Sequence, residues 1–122
     1  MRTTIKASGE VVLTEELRSY VAERVVRLEK LIDSADTTAF AAIELATTTS
    51  GQKTGNIYRA EFNVQFSGGF VRAEAVRDTM HAAIDEAIEE AKRELRKARG
   101  RRRDLMRRGA ARVKDFFRQF GK

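Results

Sequence analysis

Residues 57–76, IYRAEFNVQFSGGFVRAEAV, carry the clearest secondary-structure signal in the chain. Apolar and polar side chains alternate from position 58 to position 66, which is the two-residue period of a strand with one buried face. Ser67-Gly68-Gly69 then supplies the permissive backbone of a hairpin turn, and positions 70–76 are predicted to return as the neighbouring strand. The predicted core face of the first strand is Tyr58, Ala60, Phe62, Val64 and Phe66.

Two amphipathic helices are predicted, one on each side of this hairpin in the sequence. The first begins after Thr14, whose hydroxyl can accept a free amide of the first turn. The second is capped by Asp78 and runs to about Ala98. Apolar residues at spacings of three and four give each helix one inward stripe: Leu17, Val21, Val25, Leu28 and Ile32 in the first, and Met80, Ile84, Ala87, Ile88, Ala91 and Leu95 in the second.

Two more strands are predicted before the hairpin, at residues 3–8 and 38–47. The order is then strand, helix, three strands, helix, which predicts an α+β fold. It closes most simply as a two-layer β-α-β-β-β-α sandwich, a four-stranded sheet with both helices on one face. Gly100 is expected to separate a domain at residues 1–99 from a basic, amphipathic helical tail at residues 100–122.

The positive charge is concentrated at the C-terminal end. The chain has 24 Lys and Arg and 18 Asp and Glu, a net charge of +6, but residues 1–91 carry −5 and residues 92–122 carry +11. Such a cationic segment indicates an anionic partner. A polyphosphate backbone is the commonest one, because neutralising phosphates releases condensed counterions. An anionic membrane surface is the alternative.

Residue types that support catalysis or metal binding are scarce. The chain has no cysteine and a single histidine, His81, so zinc-thiolate and multi-histidine sites are excluded. We expect His81 to be a partly buried structural residue or an RNA contact. The acidic run at positions 85–90 is interpreted as a solvated helix face, with Glu89 paired to Arg93. The sequence therefore predicts a protein that is not an enzyme, with no catalytic residue, metal or cofactor.

The absence of cysteine and of long apolar segments gives an expectation for the cellular location. A chain of 122 residues without cysteine fits the reducing cytoplasm. No stretch has the apolar length of a signal peptide or a membrane span. We therefore expect a cytoplasmic protein.

Basic side chains gather on one flank of each predicted helix. At 100° per residue, an aromatic ring and three cations share one flank of the first helix: Tyr20, Arg24, Arg27 and Lys30. This strip can grip phosphates, and it also fits an ordinary charged helix surface. The cations of the second helix leave its apolar stripe and extend past its end: Lys92, Arg93, Arg96, Lys97, Arg99, Arg101, Arg102 and Arg103. Because crowding like charges raises the free energy of the folded chain, we predict that these residues serve a function, the binding of RNA.

Three stretches carry a family likeness: ERVVRLEKL at 23–31, AEFNVQFSGGFVRAEA at 60–75 and DTMHAAIDEAIEEAKRELRKA at 78–98. Together with the element order, they make residues 3–98 resemble the short ribosome hibernation-promoting factors, a family also called ribosome-associated inhibitor A or protein Y. Glu90 and His81 stand where that family usually has a lysine and a tyrosine. The tail from Gly100 onward lies outside the resemblance.

The resemblance implies a fold like that of double-stranded RNA-binding domains, placed in the messenger and transfer RNA channel of the small ribosomal subunit. There it would contact ribosomal RNA and block translation, with no small-molecule substrate and no membrane. It implies that RNA phosphates are contacted by Arg24, Arg27, Lys30, Arg93, Arg96 and Lys97. The family's long form carries a C-terminal dimerisation domain, for which 122 residues are too few, so a monomer is expected off the ribosome.

Two other roles fit the same sequence. One is a general double-stranded RNA binder or RNA chaperone on the same scaffold. The other is a membrane-surface or protein-interaction module, acting through the Arg- and Phe-rich tail with its apolar residues Val113, Phe116, Phe117 and Phe120.

Overall fold

The computed structural model describes the backbone of residues 1–48 and 55–120, and side chains throughout those ranges except at positions 102–106 and 110–120. Its elements are β1 (Arg2–Ala7), α1 (Glu15–Glu29), β2 (Phe40–Thr47), β3 (Tyr58–Phe66), β4 (Gly69–Arg77) and α2 (Met80–Phe120). The strands form one sheet in the order β1-β2-β3-β4. β1 is parallel to β2, and the other neighbours are antiparallel. The predicted α+β sandwich is confirmed, and each strand boundary lies within two residues of its prediction.

The β3–β4 hairpin forms as the alternation predicted. Phe66 pairs with Gly69, so Ser67 and Gly68 make the turn between the strands. Gly69 has a φ of 143°, a backbone conformation that glycine adopts without steric cost. Ala60, Phe62 and Val64 of the predicted core face are fully buried. The hairpin therefore places one complete apolar face against the helices.

α1 begins where the sequence predicted and ends earlier. The Leu17 amide donates to Thr14 Oγ1 over 3.2 Å, which confirms the cap. The helix ends at Glu29, so Ile32 is not part of the helical stripe, contrary to the prediction. The Ile32 amide bonds the Glu29 carbonyl in a tighter turn that turns the chain toward β2. Ile32 still packs against the core as a partly buried side chain.

α2 differs from the prediction at both ends. Its cap is Thr79, whose Oγ1 accepts the Ala82 amide over 3.1 Å, and Asp78 lies one residue further out with an exposed side chain. At the other end the helix does not stop near Ala98 but continues through Gly100 to Phe120. A glycine inside a helix costs about 1 kcal/mol relative to alanine, which the strong helix formers around it offset.

The buried face of α2, as far as its side chains are described, ends well before the helix does. Among the described side chains, Leu95 is the last buried one on this helix. From Leu95 to Phe120 a helix extends about 38 Å at 1.5 Å per residue. The predicted tail is thus continuous with α2 over residues 100–120, while positions 121 and 122 lie outside the described residues.

The core lies between the two helices and one face of the sheet. Phe62, Ile43 and Val64 of the strands pack against Leu28 of α1 and Ile84 of α2, each at most 2% exposed. Burying a side chain of this size contributes about 1.5–3 kcal/mol, so this layer dominates stability. The other face of the sheet has no helix over it among the described elements, and both helices therefore present their outer flanks on the same side of the molecule.

Candidate nucleic-acid interface

A hydrogen-bonded cluster joins α1 to α2. The Tyr20 hydroxyl donates to the Asp85 carboxylate over 2.7 and 2.8 Å, and Arg24 Nε donates to Asp85 Oδ1 over 3.0 Å. The Arg24 guanidinium also lies 3.3 Å from the centre of the Tyr20 ring, a cation–π contact. Asp85 was predicted to be a solvated residue, and the structure shows instead that it fastens the two helices together.

Burial and charge act against each other in this cluster. Burial opposes the charged form of Asp85, but the hydrogen bonds from Tyr20 and Arg24 outweigh it and lower the pKa of the carboxyl. Burial likewise opposes the charge of Arg24, while the bond to Asp85 raises its pKa. Burial and the bond to Asp85 both raise the pKa of Tyr20. At neutral pH the Asp85 carboxyl is therefore ionised, the Arg24 guanidinium is protonated and the Tyr20 hydroxyl is neutral.

His81 extends the contact between the helices. Its ring lies 4.3 Å from the Tyr20 ring, edge to face at 80°. Its Nε2 is 2.9 Å from Glu16 Oε1 of α1. Because Glu16 meets His81 and Tyr20 meets Asp85, the two helices run in the same direction. These contacts support the structural interpretation of His81, but its side chain is 47% exposed, so the predicted partial burial is wrong. An RNA contact there stays a prediction.

The groove between the parallel helices continues from this cluster toward their C-terminal ends, and we call it the seam. Arg27 follows Tyr20 by seven residues, and Arg96 follows Asp85 by eleven, so each lies on the flank that faces the other helix. The cations that helical spacing places along the seam are Arg27, Lys30, Lys92, Arg96 and Arg99. Four of them have exposed side chains, and Lys92 is partly buried.

The seam cations differ in whether a carboxylate already neutralises them. Lys92 Nζ lies 3.2 Å from Glu89 Oε1. Arg27, Lys30, Arg96 and Arg99 form no ion pair with another described residue. The side chain of Arg24, predicted to bind RNA, is only 14% exposed and is held by Asp85 and Glu23. Of the predicted strip on α1, Arg27 and Lys30 are thus the cations left open to a phosphate.

Arg93 and Lys97 lie on other sides of α2 from the seam and bond glutamates of their own helix. Arg93 pairs with Glu90, and Lys97 Nζ lies 3.3 Å from Glu94 Oε1, each three residues earlier. The predicted pair of Glu89 with Arg93 is therefore wrong, because Glu89 bonds Lys92 and Glu90 bonds Arg93, each cation lying three residues after its glutamate and not four. Arg101 is exposed. The side chains of Arg102 and Arg103, and of the four apolar tail residues, lie outside the described part of the chain.

The uncovered sheet face holds a charged cluster that the sequence did not indicate. The register sets Glu44, Glu61 and Glu74 side by side across β2, β3 and β4. Arg59 forms ion pairs with all three of them, at 3.8 Å for Glu44 and 3.1 Å for Glu74. Arg72 Nε adds a pair with Glu61 Oε1 at 3.1 Å. The sheet side is therefore nearly charge-balanced, in contrast with the seam.

Glu61 at the centre of this row is only 7% exposed. Burial opposes its charge, yet a hydrogen bond from Asn63 and the charges of Arg59 and Arg72 lower the pKa of the carboxyl. Like charges directly opposite each other in a sheet are destabilising unless such partners are present. The two arginines thus stabilise the ionised form of Glu61 in the folded sheet.

Among the residues whose side chains the structure describes, no group of three or more His, Cys, Asp or Glu is placed to hold a metal ion. Over residues 1–48 and 55–120, no helix combines the length and the apolarity that crossing a bilayer requires. The chemistry that the seam supports is the binding of anions by exposed cations.

Residues 5–103 match the model of the family described as sigma 54 modulation protein / S30EA ribosomal protein. A relative in sequence is the ribosome hibernation promotion factor of Deinococcus radiodurans, which is 33% identical over 91 residues, 75% of this chain and 46% of that protein. The chain thus spans about half the length of that relative.

Two solved structures share the fold. The N-terminal domain of Thermus thermophilus protein Y matches with a TM-score of 0.65 and 26% identity, over 80% of this chain and 98% of that one. A ribosomal subunit interface protein from Coxiella burnetii matches with a TM-score of 0.64 over 82% of this chain and 99% of that one; at 18% identity it shows the fold alone. Since the family model runs from β1 into α2, the chain belongs to the sigma 54 modulation protein / S30EA ribosomal protein family.

Proposed function

We propose that this protein is a ribosome-associated inhibitor of translation that binds ribosomal RNA of the small subunit through the seam and occupies the messenger and transfer RNA channel. The observation that carries the proposal is the set of exposed seam cations without an ion-pair partner among the described residues, Arg27, Lys30, Arg96 and Arg99, on two helices fastened to each other. Family membership supports the same role, as does the name of the Deinococcus radiodurans relative.

The proposed mechanism is occlusion, and it needs no catalytic group. The body presents cations from two neighbouring helices at fixed spacing, so it pays little conformational entropy when they meet phosphates. Its bulk then excludes messenger and transfer RNA from the channel. Such a factor works in the cytoplasm, and a monomer suffices for it.

Arg93 and Lys97 contribute less in this scheme than the sequence suggested. Each already bonds a glutamate of α2, so a phosphate must compete with that partner. An exposed pair of this kind is worth at most about 1 kcal/mol, so the competition weakens these contacts without preventing them.

The test is cosedimentation with small ribosomal subunits over a range of salt concentrations. The double variant Arg27→Ala with Arg96→Ala removes one open cation from each helix. Its matched control, Lys6→Ala with Arg18→Ala, removes the same charge from exposed positions on β1 and α1. If each seam cation displaces about one counterion, the salt slope of binding falls by about 2 in the seam variant and stays unchanged in the control. Equal losses in both variants contradict the proposal.

Competition separates this role from the two rivals. A channel binder keeps its place on the subunit when free duplex RNA is added in excess, whereas a general duplex binder is displaced. A module that acts on membranes cosediments with anionic phospholipid vesicles and leaves the subunit fraction.

A further inference from the structure

We infer that a cleft at the C-terminal end of the seam binds one unpaired nucleotide of the RNA. The cleft has a volume of about 470 Å³ and lies between the end of α1, the loop that follows it, the tip of the β3–β4 hairpin and α2 near Leu95. This volume is in the range of small-molecule sites. The inference rests on the proposed function, because it names the RNA feature that the seam recognises there.

The composition of the cleft matches the parts of a nucleotide. Leu31, Phe66 and Ala98 contribute partly exposed apolar surface, on which a base can lie. Phe66 supplies an aromatic ring, and stacking on aromatic rings is the usual way that proteins hold unstacked bases. Lys30 and Arg99 line the same cleft from α1 and α2, and no ion pair with another described residue occupies them. An apolar surface with cations from both sides suits a base and its phosphate.

The carboxylates of the cleft have separate roles. Asp36 Oδ2 accepts the Ser67 amide over 2.8 Å, and Asp36 Oδ1 accepts the amide and hydroxyl of Thr38 over 2.9 and 2.6 Å. These bonds tie the loop after α1 to the hairpin tip, so the walls stand in place before a ligand arrives. Asp33 uses Oδ1 for the Ala35 amide, and its exposed carboxylate leaves Oδ2 to accept an N–H of a base edge.

Charge and geometry favour a nucleotide over the other occupants. A lipid chain cannot hydrogen-bond to the carboxylates of the cleft. An apolar side chain of a protein cannot form ion pairs with its two cations. A base paired in a regular duplex stays stacked and cannot enter. The cleft therefore predicts a preference for single-stranded or bulged RNA at this end of the seam, which a general duplex binder does not have.

The experiment titrates the full chain with single-stranded RNA tetranucleotides of each base and with a short RNA duplex, followed by amide chemical shifts. We expect saturable shifts at residues 30–36, 66–68 and 95–99 with the tetranucleotides and none confined there with the duplex. Phe66→Leu keeps the apolar surface but removes the ring, and it weakens tetranucleotide binding about tenfold. The matched control is Phe70→Leu, which removes an aromatic ring that is 61% exposed on the opposite face of the sheet and leaves the affinity unchanged.

A second variant guards against effects on folding. Lys30→Gln with Arg99→Gln alters two exposed side chains, and it weakens tetranucleotide binding with a smaller salt slope. Wild-type affinity in this variant or in Phe66→Leu, or equal losses in Phe66→Leu and Phe70→Leu, overturns the inference. If the amide shifts appear when a ribosomal protein is added and not with any tetranucleotide, the inference is overturned as well.

The two proposals fail separately. If Arg27→Ala with Arg96→Ala loses the subunit while Phe66→Leu binds tetranucleotides like the wild type, the cleft is wrong and the proposed function stands. If Phe66→Leu loses tetranucleotides while Arg27→Ala with Arg96→Ala keeps the subunit and its salt slope, the proposed function is wrong and the cleft stands.

Discussion

The Tyr20 hydroxyl of α1 donates a hydrogen bond to the Asp85 carboxylate of α2, joining residues 65 positions apart in the sequence. Arg24 reaches the same carboxylate, so one aspartate bridges the helices that carry the seam cations. Helix spacing at the seam therefore depends on a side chain that itself has no role in binding phosphate.

Asp85→Ala should loosen this bridge. It removes a charged partner from Tyr20 and from the mostly covered Arg24, and we expect the free energy of unfolding to fall by about 1 kcal/mol. Urea denaturation measures the change. Glu89→Ala is the control, since it removes a carboxylate of α2 that pairs only with Lys92 among described residues, and it should change stability by less than about 0.5 kcal/mol. Equal stability of both variants contradicts the bridging role.

Asp36 should make the fold sensitive to acid. Hydrogen bonds from Ser67 and Thr38 lower its pKa from 3.8 to about 2. Because the carboxyl binds protons more readily in the unfolded chain, its contribution is complete above about pH 4 and is lost as the pH falls toward 2. Melting temperatures between pH 2 and pH 5 should therefore drop less steeply in Asp36→Asn than in the wild type. Parallel curves would show that these hydrogen bonds do not stabilise the native state.

Gly9→Ala should be strongly destabilising. Gly9 has a φ of 65°, and a Cβ placed there would lie 2.3 Å from Thr47 Oγ1. The left-handed conformation alone costs a non-glycine residue about 1–2 kcal/mol, and the collision adds to that cost. Thermal unfolding of Gly9→Ala and of the double variant Gly9→Ala with Thr47→Ala separates the two terms. Thr47→Ala relieves the collision but also removes the hydroxyl that accepts the Glu10 amide, so Thr47→Ala alone is the reference. If the double variant were as stable as Thr47→Ala, the backbone argument would be contradicted.

Gly100→Ala should stabilise the helix that contains it, whereas Gly9→Ala destabilises the fold. Gly100 lies inside α2, and an added Cβ meets nothing within 4 Å. Alanine is about 1 kcal/mol better than glycine at a helix interior, so the part of α2 beyond Ala98 should gain helicity. Circular dichroism at 222 nm and amide exchange at residues 99–103 measure this gain. A break at Gly100, as the sequence suggested, would instead leave both signals unchanged.

The elements of the fold followed from local patterns, and the arrangement of charges did not. Alternation in β3 predicted the burial of its apolar face but not that of Glu61 on the other face. The spacing of Leu17, Val21, Val25 and Leu28 predicted the inner face of α1. The end of α2 was missed because Gly100 resembles a helix stop, although no proline or competing cap accompanies it. Single-residue signals of this kind predict less than a sustained period.

Which cations lie on the seam could not be predicted from the sequence of either helix alone. Arg96 and Lys97 are neighbours in sequence, yet one lies on the seam and the other bonds Glu94 on a different side. Only the packing of α1 against α2 defines which flank is the seam. The row of Glu44, Glu61 and Glu74 likewise depends on strand register, which joins residues from three strands.

The charge balance of the Glu44, Glu61 and Glu74 row affects how the protein is oriented as it approaches a polyanion. Arg59 and Arg72 offset most of its charge, so the sheet side exerts little force at a distance, while the cations of the helices attract. A negatively charged surface thus applies a torque to the approaching molecule and turns its helices forward before contact. Replacing Arg59 or Arg72 with glutamate would lower the net positive charge and slow association, although neither side chain lies on the seam that is proposed to bind RNA.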